Sequence, residues 1–139
     1  MDRAQLDAMN EKVIEEFRAN GGEVGPPFEG APVLLLTNKG AKSGKIRVSP
    51  LVYTKDGDNY VIIASFAGAP KHPAWFHNLM KHPNTQIEVG TETLQVTAKE
   101  ANGSERDRLF QAQAEMMPVF HDYQAKTERK IPVVILAPR

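Results

Sequence analysis

From residue 32 to its C-terminal end the chain carries six short β-rich runs, at 33–37, 45–54, 59–65, 85–89, 92–99 and 132–136, punctuated by Gly, Pro, Asn and Asp. Runs of that length, rich in Val, Ile, Leu and Thr, read as strands. Lys55-Asp56-Gly57-Asp58 and Gly90-Thr91 join neighbouring runs directly. A parallel pair would need a crossover of about a dozen residues or more, so these turns dictate antiparallel hairpins and, with six strands, an antiparallel barrel. Two helical stretches interrupt it. One covers 73–81 with Pro73 in its first turn; the other covers 104–117, where Ser104 and Asp107 form a capping pair. The expected class is therefore α+β, mainly β.

Ahead of the strands, Leu6, Met9, Val13 and Phe17 recur at helical spacing and line one face of a helix over 2–19, with Asp2 and Gln5 as a capping box. Gly21 and Gly22 end it, and Gly25-Pro26-Pro27 forces an extended linker. At 139 residues one domain is expected, and 41% hydrophobic with 24% charged residues fits neither a disordered nor a membrane chain. The absence of cysteine excludes disulfides, a thiolate nucleophile and Cys-ligated metal, and suits a reducing, cytoplasmic setting. Residues 1–20 lack the pattern of a signal peptide. Seventeen basic residues balance seventeen acidic ones, so no overall field gathers nucleic acid. The N-terminal helix is the one candidate for peripheral membrane contact, although its polar face holds Asp7, Glu11, Glu15 and Glu16.

Charge is concentrated locally. Between Gly30 and Lys55 no acid occurs, whereas Lys39, Lys42, Lys45, Arg47 and Lys55 do. The centre, Lys39-Gly40-Ala41-Lys42-Ser43-Gly44-Lys45-Ile46-Arg47, is a glycine-bearing turn whose amides and cations suit a phosphate or carboxylate. A solvated hairpin turn is the plain alternative. It is not a nucleotide-triphosphate loop, because the glycine spacing is one residue short and Ile46 stands where Ser or Thr would bind magnesium.

Leu34-Leu35-Leu36-Thr37, Lys39-Gly40-x-Lys42-Ser43-Gly44-x-x-Arg47, Pro50-Leu51-x-Tyr53, Ala64-Ser65, Gly68-x-x-Lys71-x-Pro73-x-Trp75-x-x-Asn78-Leu79 and Pro83 together resemble the deazaflavin (coenzyme F420)-dependent nitroreductase family. The likeness runs from about residue 32 to 136 and includes the closing Arg129-Lys130-Ile131-Pro132-Val133-Val134. It implies a split β-barrel over 29–139, an N-terminal helix and linker over 1–28, and an 8-hydroxy-5-deazaflavin coenzyme bound in a groove on the barrel. It further implies that Lys39, Lys42, Ser43, Gly44, Lys45 and Arg47 surround the coenzyme's phosphate and glutamyl tail. Pro50 and Leu51 would lie along the ring edge, with Ala64, Ser65 and Gly68 beside the reactive carbon. Lys71 would add a contact, and Trp75 and Asn78 would anchor the 64–68 loop. Asn78 is counted with the coenzyme residues, and Trp75 with the core, as large aromatics usually are.

The implied chemistry is hydride transfer from reduced F420 to a planar, conjugated, largely apolar acceptor: a quinone, an enone or lactone, or a nitroaromatic. Ser65 is the candidate hydrogen-bond donor to the acceptor, and Tyr53 and Tyr123 are candidates for proton supply or a flat contact. Ser65 as a strand cap and Tyr53 as a half-buried strand residue are the structural alternatives. Family members that reduce nitroimidazoles carry a tyrosine cluster where this chain has Met117, Phe120 and Tyr123, which favours quinone or enone acceptors. His72, His77 and His82 lie five apart, off the spacing of a helical metal pair, and no metal site is expected. The competing readings are an FMN-binding split-barrel oxidoreductase and a non-catalytic coenzyme or lipid carrier. A monomer with a small-molecule acceptor and no nucleic-acid partner is expected.

Overall fold

The computed structural model describes residues 3–26, 28 and 30–139. Its elements are α1 (Arg3–Ala19), β1 (Val33–Lys39), β2 (Ile46–Asp56), β3 (Asn59–Ile63), a 3-10 turn (Phe66–Gly68), α2 (Ala74–Lys81), β4 (Asn84–Val89), β5 (Glu92–Glu100), α3 (Gly103–Met116), α4 (Val119–Ala125) and β6 (Val133–Pro138). The strands form a closed antiparallel barrel in the order β1-β2-β3-β6-β5-β4. All six expected strands are present, and both predicted hairpin turns are where their Gly residues put them, between Asp56 and Asn59 and between Val89 and Glu92.

Side-chain alternation divides the barrel into two apolar layers. Leu34, Leu36, Ile62, Ala64, Ile87, Val96, Val134 and Leu136 fill the interior, where Trp75, Phe76 and Leu79 of α2 join them. The intervening residues Val61, Ile63, Val133 and Ile135 face outward and are covered by Leu109, Phe110 and Ala114 of α3 and Phe120 of α4. Val33 and Leu35 face outward under Phe17 of α1. The uninterrupted Val33-Leu34-Leu35-Leu36 run reflects a strand buried on both faces.

The N-terminal helix is bound to the barrel. Val13 and Phe17 are each 1% exposed, Arg18 makes a two-pronged pair with Glu88 at 3.1 and 2.9 Å, and the Glu16 carboxylate accepts the Gly25 amide at 3.0 Å. The expected boundary after residue 28 falls next to Glu29, and the Asp2–Gln5 box involves Asp2; both acids lie outside the described residues.

Two helix expectations are corrected. α3 begins at Gly103 with Asn102 before it and no side-chain cap, because Asp107 is drawn to Arg106 Nη1 (3.2 Å) and Lys130 Nζ (3.4 Å) instead of to the helix start. A third inserted helix, α4, follows Pro118; its seven residues bury Phe120, too few for periodicity to reveal.

Candidate functional site

β1 runs toward one end of the barrel, β2 away from it and β3 back, so the basic turn, the 64–72 loop and α2 share that end. The turn is held by α2. Asn78, 6% exposed, accepts the Ala41 amide on Oδ1 (2.8 Å) and donates from Nδ2 to Asn38 Oδ1 (2.8 Å), while Lys81 Nζ donates to the Ala41 carbonyl (2.9 Å). Asn38 in turn donates to Ser49 Oγ at 3.3 Å. Within the turn, Gly40 N–H reaches Lys45 O (2.8 Å), Gly44 N–H reaches Gly40 O (3.0 Å), and Gly44 sits at φ +71°, left-handed backbone that glycine adopts without cost.

The amides of Lys42 and Ser43 have no acceptor among the described residues. Nor does any side chain of Lys39, Lys42, Lys45 or Arg47 make an ion pair there. Strand register places Lys39 opposite Ile46 on the outer face and Arg47 opposite Asn38 on the inner one, so the cations flank both sides of the turn. Unpaired cations and free amides on a rigid turn match the donor set that a phosphate and carboxylate tail requires.

Ser65 follows β3 by two residues and immediately precedes the 3-10 turn. It is 9% exposed, and its hydroxyl makes no cap bond and no other hydrogen bond among the described residues. Gly68 lies against α4: a Cβ there would sit 2.8 Å from the Tyr123 carbonyl and 3.1 Å from Lys126 Cβ, and its φ is +79°. That contact brings the Ser65 loop and half-buried Tyr123 to one junction. Met117 and Tyr123 pack, half-buried, against the outer apolar cluster, whereas Phe120 is a member of that cluster, 6% exposed and edge-on to Tyr123 at 5.5 Å. Phe120 is thus withdrawn from the apolar wall expected of Met117 and Phe120.

Several expected residues have other places. Tyr53 points into the barrel beside Leu51, edge-on to Tyr60 at 5.4 Å, and burial raises its phenol above the ordinary value. Pro50 pairs with Leu35, and Val52 packs with the outer cluster, so period-two alternation puts Tyr53 on the face of β2 opposite to theirs. Tyr53 instead lines a cleft of about 500 Å³ at the other barrel end with Glu23, Pro32, Val89 and Thr91. Asn78 anchors the basic turn and not the 64–68 loop. Lys71 is exposed next to that loop, Ala64 and Trp75 are interior.

The loop's anchor is Arg129, which the sequence offered only as part of a closing segment. Its Nε donates to Ala69 O (2.9 Å), Nη1 to Ala64 O (3.2 Å) and Nη2 to Ser65 O (2.7 Å), and Nη1 also meets His72 Nδ1 at 2.9 Å. A guanidinium only donates, so His72 Nδ1 accepts and the imidazole is neutral with its proton on Nε2. His72 is thus engaged in the site and is not a free surface histidine. Among the described residues no group of three or more His, Asp or Glu is arranged to hold a metal.

Residues 9–138 match the model of the family described as F420H(2)-dependent quinone reductase. An F420H(2)-dependent quinone reductase of Mycobacterium tuberculosis is 41% identical over 127 residues, covering 88% of this chain and 85% of that protein. A solved structure titled F420-H2 dependent reductase (FDR-A) is 40% identical, with a TM-score of 0.70 over 76% of this chain and 93% of its own. A second, described as a domain-swapped dimer, is 34% identical with a TM-score of 0.72 over 97% and 99%.

Proposed function

The chain belongs to the F420H2-dependent quinone reductase family and is an oxidoreductase that uses coenzyme F420, and from that premise we propose that it reduces a quinone at the Ser65–Tyr123 junction with the coenzyme's anionic tail on the basic turn. The observation that carries this reading is the strapped turn whose four cations have no ion-pair partner among the described residues, at the barrel end that also presents Ser65. Coenzyme and fold agree with the resemblance drawn from the sequence, and of the acceptors expected there, a quinone, an enone or lactone, or a nitroaromatic, the relatives' quinone reduction supports the first.

When bound, the reduced deazaflavin supplies a hydride. The chain's own part is to bind, orient and exclude water. Lys39, Lys42, Lys45 and Arg47, with the amides of Lys42 and Ser43, hold the anionic tail, and Asn78 keeps those amides pointed outward. Ser65 Oγ donates a hydrogen bond to the quinone oxygen on which negative charge develops, and Tyr123 is the available phenol for its proton. Met117 offers an adaptable apolar surface to the ring. Tyr53, directed into the barrel, has no part.

Val13 and Phe17 of the α1 stripe are buried on the barrel while Leu6 and Met9 stay half-exposed, so this helix serves as a cover, and a monomer without peripheral membrane contact is the reading adopted. No helix among the described residues is long and apolar enough to cross a membrane. Sizing by light scattering checks the monomer; a dimer, as in the domain-swapped relative, would reject it.

A fluorescence titration with oxidised F420 and, in parallel, FMN tests the coenzyme site. F420 binding that weakens steeply between low and high salt, with little FMN binding, is the expected result. Salt-insensitive binding, or preference for FMN, would reject the basic-turn assignment. Turnover of quinones by reduced F420 then separates a reductase from a carrier.

A further inference from the structure

We propose that Arg129 is a positioning residue for the acceptor site, clamping the 64–69 loop into a shape it would not hold by itself, and that the clamp requires a neutral His72. This rests on the quinone-reductase reading above, because the loop it holds is the one that presents Ser65.

The loop is strained where the clamp spans it. Phe66 and Ala67 have φ values of 47° and 53°, two consecutive non-glycine residues in left-handed backbone. Burial of their side chains does not compensate, for Phe66 is 42% exposed and Ala67 is also exposed. The compensation lies on either side: Arg129 binds the carbonyls of Ala64 and Ser65 before the strained pair and of Ala69 after it. The base of the clamp is fixed in turn. Gln124 Nε2 donates to Arg129 O (2.8 Å), Gln124 Oε1 accepts the Ile131 amide (3.0 Å), and buried Arg106 donates to Ile131 O at 2.7 and 3.0 Å. The guanidinium therefore extends from a rigid corner between α4 and β6 into a loop whose hydroxyl-bearing residue is otherwise free.

His72 completes the set, with its Nδ1 lone pair on Arg129 Nη1. The groups facing it are Arg129, His77 and Glu100; the two bases and burial oppose a proton, only Glu100 favours one, and the imidazole is held below its ordinary value. A protonated His72 has no acceptor to offer and sets a second cation against the guanidinium, so acid releases one of the four contacts and repels the rest.

Arg129→Lys retains one cation but lacks the fork that reaches three carbonyls. We expect kcat with reduced F420 and a soluble quinone to fall about tenfold or more, with the F420 Kd changed less than about threefold, the split that separates loss of positioning from loss of binding. Hydrogen exchange of the coenzyme-free protein should quicken at amides 66–69 and stay unchanged in the barrel strands. His72→Asn keeps an acceptor near the Nδ1 position without titrating; it should remove the acid limb of the wild-type kcat profile. Wild-type kcat and exchange in Arg129→Lys, or an unaltered acid limb in His72→Asn, would overturn the assignment. Failure of the wild type to bind F420 would reject the basic-turn reading alone, since the exchange comparison is made without coenzyme.

Discussion

Single side chains in this protein are valuable for what they leave open as much as for what they bind. Ser65 is 9% exposed, and its hydroxyl has no partner among the described residues and is not one of the buried unsatisfied atoms, so it stays open to a ligand without a desolvation cost. Ser65→Ala should therefore leave urea stability within about 0.5 kcal/mol while lowering kcat roughly tenfold, the loss of one charge-stabilising hydrogen bond. Gly68 is the reverse case, a residue whose importance is the absence of a side chain. A Cβ would lie 2.8 Å from the Tyr123 carbonyl at a φ of +79°, so Gly68→Ala combines strain with a backbone clash. We expect a loss of about 2 kcal/mol or more in denaturant unfolding, and separation of the 64–68 loop from α4. Glycine at this position was visible in the sequence as part of a motif; that it faces another backbone was not.

Among the elements, α2 is the one that joins core to site. Its Trp75, Phe76 and Leu79 enter the barrel interior while Asn78, on the same short helix, holds the basic turn through the Ala41 amide. Asn78→Ala would orphan that amide and the Asn38 Oδ1; the expected cost is about 1–3 kcal/mol, with weaker F420 binding, measured by urea unfolding and by fluorescence titration. α1 acts through packing. Removing the Phe17 ring opens a cavity against Val33 and Leu35, and Phe17→Ala should cost about 3–5 kcal/mol, a thermal-melting shift far larger than any change at the Arg18–Glu88 surface pair would give. The helix periodicity of Leu6, Met9, Val13 and Phe17 announced an apolar stripe; which surface it covers depends on β1 and β2 presenting Val33, Leu35, Val48 and Val52 beneath it.

For the whole molecule the charge balance is neutral, so pH acts through particular groups. His72 is held below the usual imidazole value of 6.5, chiefly by burial and then by Arg129. The unfolded chain thus takes up a proton before the native one does, and stability that is complete above pH 6.5 declines as pH falls through the native value. Asp56 and Asp107, lowered by hydrogen bonds from Arg108 and Arg106, lose their contribution only further down, as pH falls through and below 3.8. Urea midpoints measured from pH 8 to pH 5 should fall in the wild type, and fall less in His72→Asn. The sequence by itself determined the six strands, the hairpin turns and the basic turn, because alternation, Gly-bearing turns and local charge are short-range properties; the coenzyme class came from the family resemblance and not from charge. It offered Ser65, Tyr53 and Tyr123 together as candidates and could not tell that they lie in different places, since strand parity assigns a face only once the register with β1 and β3 is fixed. Arg129 and His72 are 57 residues apart and meet 2.9 Å from each other only after β3, α4 and β6 have closed around the loop between them. No spacing in the chain encodes that contact; barrel closure decides it.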